Sequence, residues 1–520
     1  MLYKLKSVTK FLFTAVFLGS TLLSCNKLLD KKSSRIADEE GSWKSFENAR
    51  SGLIGIYGLF RAALADNNAH WMWGELRAGD FRSVSRPDLK AVVDGELTAA
   101  YPLLERTSNW RRLYAVINAA NVFIERVEGC LADKRYTEAY YKLDVAQARS
   151  LRAFAYFYMV RIWGDVPFTT SSGDGGNFDA LPRTDKNTIL SFAEQELIAA
   201  ANELPYIYSG ADPEQKFPPN YYGYGQSQWL NAPVTRLAAY ALLAHIAAWK
   251  GQYTEVVIYT DFIENNFSKS NVSASSVAFV TSPTGLFSGD ATDNYRQILG
   301  FRFPKNQKET TVSGHIEQLT LANTVNFTMS KQLPDIYVPK DVIAELFPSA
   351  AGNDDRFGYD NRYTPPLLYT TYFENYNAEI PVFKKIRVLD GGTGTGSYAV
   401  FNSSIIFTRL EELRLLRAEA YAAIGDNGRA LTLLNSLRSN RNLKGVSLSE
   451  GGDILKDIFD ERRRELMGEG WRWYDIVRYN RIRRNDPEFN KLLDNDGIYW
   501  PIAQDVLTRN PELKQNPYWN

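Results

Sequence analysis

The chain has 520 residues, 60 Lys+Arg against 60 Asp+Glu, two cysteines and three histidines. Zero net charge argues against a nucleic-acid binder, which needs a basic face to displace counterions, and two cysteines exclude a disulfide scaffold or a multi-cysteine metal protein. A mean hydropathy of −0.32 excludes a polytopic membrane protein, while an aromatic content of 13% raises the question of which rings do more than fill core.

In chain order, residues 1–24 come first and read as a secretory signal. Lys4, Lys6 and Lys10 precede a largely apolar stretch, 11–23. That stretch is too short to span a bilayer, which takes ~20 residues. It closes on Leu22-Leu23-Ser24-Cys25, which looks like a bacterial lipobox, where the Cys25 thiol is acylated and the bond before it is cut. Acyl chains at ~0.8 kcal/mol per buried CH₂ then hold a soluble body on a membrane. Residues 25–45 are polar and read as the lipidated tether. Cys130 is left without an intrachain partner.

Residues 46–520 read as a single globular body. It comprises an N-terminal helical half (46–260), a loop-rich insertion with short strands (261–405) and a C-terminal helical part (406–520). Leu53, Ile56, Tyr57 and Phe60 mark one helix face at three-to-four spacing. Trp110, Leu113, Tyr114, Ile117, Asn121 and Ile124 mark another. Residues 143–163 are apolar almost all round and predict a buried helix, ended by Gly164 with Pro167 beyond. A further helix runs from about 186 to 203. Ala244 precedes Gly251 by seven residues, with Val256 five beyond. Ala418, Gly425 and Ala430 repeat that spacing. Small residues let helices approach and glycine permits the tight turn, as in tetratricopeptide-like pairs. The fold class is therefore mainly α: helix pairs forming a scaffold, with long loop-rich insertions and a few short β-strands, such as the run 298–303. The insertions carry clustered tyrosines (221, 222 and 224; 359, 363, 369, 372 and 376) and a glycine loop at 391–397. Such long, irregular segments are where binding function tends to sit.

Motifs spread along the chain carry a family resemblance. Cys25 is followed by Leu28-Leu29-Asp30. Residues 52–57 (GLIGIY) form a first-helix motif, and Trp110, Tyr114, Ile117, Asn118 and Asn121 a second. Residues 148–157 (ARSLRAFAYF) lead to 163–167 (WGDVP), then Leu181-Pro182-Arg183. Residues 409–420 (RLEELRLLRAEA) precede Asn435 and Arg438. Residues 461–466 (ERRREL), 469–478 (EGWRWYDIVR), 500–502 (WPI), 510–513 (NPEL) and 515–517 (QNP) close the series. In this order they resemble the SusD/RagB-like outer-membrane lipoproteins of glycan-uptake systems. The departures are mild: Leu28, where the family often has an aromatic, and Tyr518, where it often has glycine. The resemblance implies four tetratricopeptide-like pairs and a lipid-anchored position at the outer membrane, on the cell surface. It also implies a role: binding a glycan or other nutrient as the lid of a SusC-like TonB-dependent transporter, without catalysis.

No catalytic constellation or metal-ligand spacing stands out. His70, His245 and His315 are scattered, with no HExxH, and His245 reads as a core histidine. There is no G-x-S-x-G elbow and no cofactor motif. Two carboxylates suffice for glycoside hydrolysis, so that chemistry stays open. Arg462, Arg463 and Arg464 alternate with Glu461 and Glu465 and read as intramolecular pairs. Arg149, Arg152, Arg417 and Glu419 sit in segments expected to be buried, where charges must pair; the signature reads as architecture rather than as a site.

Sugar recognition needs flat apolar faces beside planar polar groups. The segment 66–82 offers Trp71, Trp73, Arg77, Asp80 and Arg82 as candidate ligand contacts, although one or both tryptophans could equally be core. Tyr295 and Arg296 form the second candidate. Tyr221, Tyr222, Tyr224 and Trp229 form the third, with a transporter-facing surface as the other use for such rings. The expectation is a surface glycan-binding lipoprotein that is not an enzyme and takes no cofactor. A peptide-binding relative and a surface glycoside hydrolase are the alternatives.

Overall fold

The computed structural model describes residues 42–173, 180–216, 220–229, 232–272, 284–290, 296–324, 328–348, 354–360, 367–369, 371–391, 399–448 and 452–520. Residues 1–24, expected to be a signal, together with Cys25, Tyr295 and most of the glycine loop, lie outside these.

Ten helices carry the body and its site. They are α1 (Phe46–Ala65), α2 (Ala69–Gly74), α3 (Pro102–Thr107), α4 (Arg111–Arg126), α5 (Glu138–Trp163), α6 (Lys186–Ala201), α7 (Arg236–Lys250), α8 (Tyr253–Asn266), α9 (Leu410–Ala423) and α10 (Asn427–Ser439). All but α2 and α3 pack in one array, each on the next: α1 on α4, α4 on α5, α5 on α6, and so on through α10. The pairs α1–α4, α5–α6, α7–α8 and α9–α10 are the tetratricopeptide-like units. Two helices of the C-terminal signature, α11 (Ile454–Glu465) and α12 (Arg472–Arg483), close the array against α9.

Local sequence explains the boundaries. Ser45 caps α1 by accepting from Asn48 N–H (3.1 Å), and Asp185 caps α6 through two such bonds. The α5 helix is buried along nearly its whole second half and stops at Gly164, whose φ of 73° suits glycine. The turns after α7 and α9 contain Gly251 (φ 76°) and Gly425 (φ 87°), at the positions the repeat spacing predicts. Sheet structure is sparse. Its longest ladder pairs β1 (Gln297–Phe301) antiparallel with β2 (Ile405–Arg409), both fully buried.

The signature motifs fold into a buried ionic hub. Glu465 of α11 accepts from Arg356 (3.2 Å), Arg409 (2.8 Å) and Arg441 (2.7 Å). Glu469 binds Arg409 and Lys385, and Arg462 bridges Glu412 and Asp475. The guanidinium groups hold the Glu465 carboxyl well below the usual range, against the opposing effect of burial. The expected internal pairs form: Arg152 and Arg149 on Glu196, Arg478 on Glu419, and Arg417 on Asp261. His245 is a core histidine, 3.0 Å from Glu412 and stacked on Trp471.

Candidate functional site

The first helix pair is interrupted in sequence: residues 66–110 leave α1 and return as α4. At the break, Asp66, Asn67 and Asn68 turn the chain from α1 into α2. Asn67 and Asn68 both adopt left-handed backbone, φ 56° and 54°. That region costs most L-residues ~1–2 kcal/mol, and asparagine tolerates it best. Asn68 is buried and donates to the His315 carbonyl (2.8 Å), fastening the turn to the loop 313–318. Gly314, φ 81°, lies against α1; a Cβ there would sit 3.1 Å from Ala65, so the approach needs glycine.

These contacts frame an open cleft of about 460 Å³. Its floor includes Ala62, Met72, Leu89 and Leu103, and its rim includes Asp66, Asn67, Arg86, Arg112, Ser313 and Gln318. Asp66 and Arg112 pair at 2.6 Å with side chains 40% and 56% exposed. An ion pair that open adds little stability, and both groups keep hydrogen-bonding edges toward solvent. Asn67 donates to Asp66 (3.0 Å). The Gln318 amide oxygen accepts from Gly314 N–H (3.1 Å). A carboxylate, amides and guanidinium groups over an apolar floor suit a polyhydroxylated ligand, whose hydroxyls both donate and accept.

Behind the rim lies a buried relay. His315 Nδ1 is 3.0 Å from Ser403 Oγ, and Ser403 donates to Glu317 (2.8 Å). Burial pushes the Glu317 carboxyl up to about 7 and the His315 imidazole down to about 4. Ser403 is buried and bridges the imidazole and the carboxylate, which joins the segment 315–317 to residue 403. Among the described residues, no group of three or more His, Cys, Asp or Glu is placed to hold a metal.

The structure corrects the ligand contacts expected in 66–82. Trp71 and Trp73 are 2% and 4% exposed. Their indole N–H groups donate to the Gly468 and Thr107 carbonyls (3.0 Å each). Arg77 is buried, donates to the Gly497 and Ile498 carbonyls (2.5 and 2.9 Å) and stacks on Trp473. Asp80 is buried between Arg463 (2.6 Å) and Arg472 (2.9 Å). Trp71, Arg77 and Asp80 tie this segment to the C-terminal part of the chain and Trp73 ties it to α3; all four are buried. In the run 71–73 it is Met72, between the tryptophans, that lines the cleft. Arg82 remains exposed and donates to the Gly79 carbonyl. Tyr295 lies outside the described residues; Arg296 is half-buried just before β1. Tyr221 and Tyr222 are buried, and with Tyr136 they donate to Asp144. Tyr224 is 47% exposed and Trp229 half-buried.

The residues that do line the cleft were inside or near the singled-out segment, but not those chosen. Asp-Asn-Asn at the end of an apolar helix was the available signal, since asparagine tolerates left-handed backbone. Arg112, Ser313 and Gln318 come from distant parts of the chain, and spacing gives no hint of them.

Comparison with known proteins agrees with this architecture. The family model described as "SusD family" matches residues 248–486, and one described as "Starch-binding associating with outer membrane" matches 95–217. A SusD superfamily protein of Bacteroides thetaiotaomicron, solved by crystallography, is 45% identical, with 92% of this chain and 99% of that chain aligned at a TM-score of 0.81. A SusD-like protein of Formosa agariphila is 24% identical over 550 residues, covering 99% of this chain and 100% of its own. A laminarin-binding SusD-like protein shares the fold at 18% identity and a TM-score of 0.66, covering 91% of this chain and 100% of its own. With nearly the whole length of a 45% identical relative matched, the chain belongs to the SusD family.

Proposed function

We propose that the protein captures a glycan at the cell surface, anchored through acylated Cys25, and passes it to a SusC-like TonB-dependent outer-membrane transporter, for which it acts as the lid. The observation that carries this reading is the cleft at the end of α1, with its solvent-facing Asp66–Arg112 pair and amide rim over an apolar floor. Membership of the SusD family supports it, as do the starch-binding description of the matched family model and the laminarin-binding relative. The protein's part is binding rather than catalysis.

Calorimetry on the chain with Cys25→Ser, against maltohexaose and laminarihexaose, tests the cleft. The double variant Asp66→Ala/Arg112→Ala should bind about tenfold or more weakly, the ~1.4 kcal/mol expected of charge-assisted hydrogen bonds, with its melting temperature unchanged. Unchanged affinity would remove the cleft from the mechanism. Binding of peptides in place of both sugars would shift the cargo to the peptide reading, and release of reducing ends would shift the protein to the hydrolase reading. Recovery from membranes without a transporter would count against the lid.

A further inference from the structure

Helix α3 separates two cavities. Leu103 faces the cleft described above, whereas Tyr101, Leu104, Glu105 and Ser108 face a second cavity of about 450 Å³. Its opposite wall is the C-terminal segment: Pro501–Gln504, Gln515 and Trp519. That wall is firmly held. Gln515 accepts from Ile502 N–H (2.8 Å) and donates to the Ile502 carbonyl (2.9 Å). The Trp519 indole N–H donates to the Tyr499 carbonyl (3.0 Å), which fixes the ring by one edge. Ala503 N–H donates to the Ser108 carbonyl (3.2 Å), joining the two walls. Glu105 accepts from the backbone N–H groups of Gln504 (3.4 Å) and Asp505 (3.1 Å).

One group in this frame is left over. The Ser108 side-chain hydroxyl has no hydrogen-bond partner among the described residues, although Ser108 is only 3% exposed and lines the cavity. A buried hydroxyl without a partner costs ~1–3 kcal/mol, which a ligand hydroxyl or a water would relieve. Two half-buried rings, Tyr101 and Trp519, stand at the same cavity. They supply what the first cleft lacks among the described residues, none of whose aromatic side chains line it.

We propose that this cavity is a second saccharide subsite, which takes a neutral pyranose ring of the same glycan on the far side of α3. The proposal rests on the glycan reading of the first cleft. Tyr101 and Trp519 offer faces for sugar C–H groups. Ser108, Gln504 and the Glu105 carboxylate serve its hydroxyls. The ring is neutral because, among the described residues, Glu105 is the one charged residue lining the cavity, and it would repel a uronate or sulfate. Two subsites flanking one short helix make the second contact intramolecular, so affinity rises with glycan length.

The test labels the chain with 5-fluorotryptophan, assigns the Trp519 signal by Trp519→Phe, and titrates with maltohexaose and laminarihexaose by fluorine NMR. A Trp519 shift with either sugar, retained at high ligand in Asp66→Ala, is the expected result. A Trp519 signal that stays put with both hexaoses overturns the proposal. Failure of the first cleft is read separately, from unchanged affinity in its own variants. Trp519→Ala and, independently, Ser108→Val should each weaken hexaose binding, Trp519→Ala by about five- to tenfold, while disaccharide binding is unaffected. Equal losses for hexaose and disaccharide would also overturn it.

Discussion

At Glu465, three guanidinium groups close on one carboxylate in a region shut off from solvent. At Asp66, one guanidinium meets one carboxylate with about half of each side chain in water. The residue types are the same and their consequences are opposite. In the hub, removing one partner strands desolvated charge, so each residue depends on all the others. In the cleft, water already solvates both partners, so the pair is free to exchange one hydrogen-bond partner for another. A sequence under the first constraint shows long, recognisable motifs; one under the second need not.

The largest effect that would sharpen this contrast is in the hub. Glu465→Gln leaves Arg356, Arg409 and Arg441 without their common counter-charge and should cost about 3–5 kcal/mol, read as a lower denaturant midpoint. A loss below about 1 kcal/mol would mean that the hub is no more demanding than the cleft.

The two regions also differ in the direction of their pH response. The guanidinium neighbours pull the Glu461 carboxyl down to about 2 from 4.5, against burial. Its stability contribution is present above about 4.5 and disappears as pH falls toward about 2. Burial raises Glu317, behind the cleft rim, to about 7 from 4.5. Its contribution is present below about 4.5 and is lost as pH rises through about 7. Glu317→Gln should therefore gain stability relative to the unmodified chain between pH 5 and pH 8, and Glu461→Gln should lose most at neutral pH. Denaturant titrations at pH 5, 6, 7 and 8 would show parallel curves for Glu317→Gln if the rim layer does not titrate.

Trp71 marks the boundary between the regions, and it shows where sequence reading runs out. The helix pairs were legible because burial imposes a period on apolar residues and because Gly251 and Gly425 stand where the interhelical turns need them. The hub was legible as internal pairing, since charges inside apolar helices have few alternatives. The site was less so. In the sequence Trp71 and Trp73 read as part of an irregular segment rich in polar residues, which is how loop aromatics poised for a ligand also look, whereas in the structure both belong to α2. Whether a ring packs inward there is decided by residues some 400 positions away, Trp71 donating to Gly468 and Arg77 to Gly497 and Ile498. Trp71→Phe should cost about 1–3 kcal/mol, because the Gly468 carbonyl loses its partner, and it should leave hexaose affinity within error once folding is accounted for. An affinity loss without a stability loss would return Trp71 to the ligand surface.

The smallest effect separates conformation from contact at the cleft itself. Asn67 contributes both a left-handed backbone and an exposed-edge amide that donates to Asp66. Asn67→Gly keeps the backbone geometry at no steric cost and removes only the amide. Unfolding free energy should stay within about 0.5 kcal/mol, because glycine's easier left-handed turn offsets its greater freedom in the unfolded chain. Asn67→Ala should instead lose about 1 kcal/mol, since alanine resists that region. If the amide binds sugar hydroxyls, both variants weaken glycan binding by a similar factor of about two to five, the effect of one neutral hydrogen bond. If Asn67 serves only to bend the chain, Asn67→Gly binds normally and Asn67→Ala alone is impaired. The rim would then consist of Asp66, Arg112 and the loop 313–318, with the asparagine pair acting as the hinge that presents them.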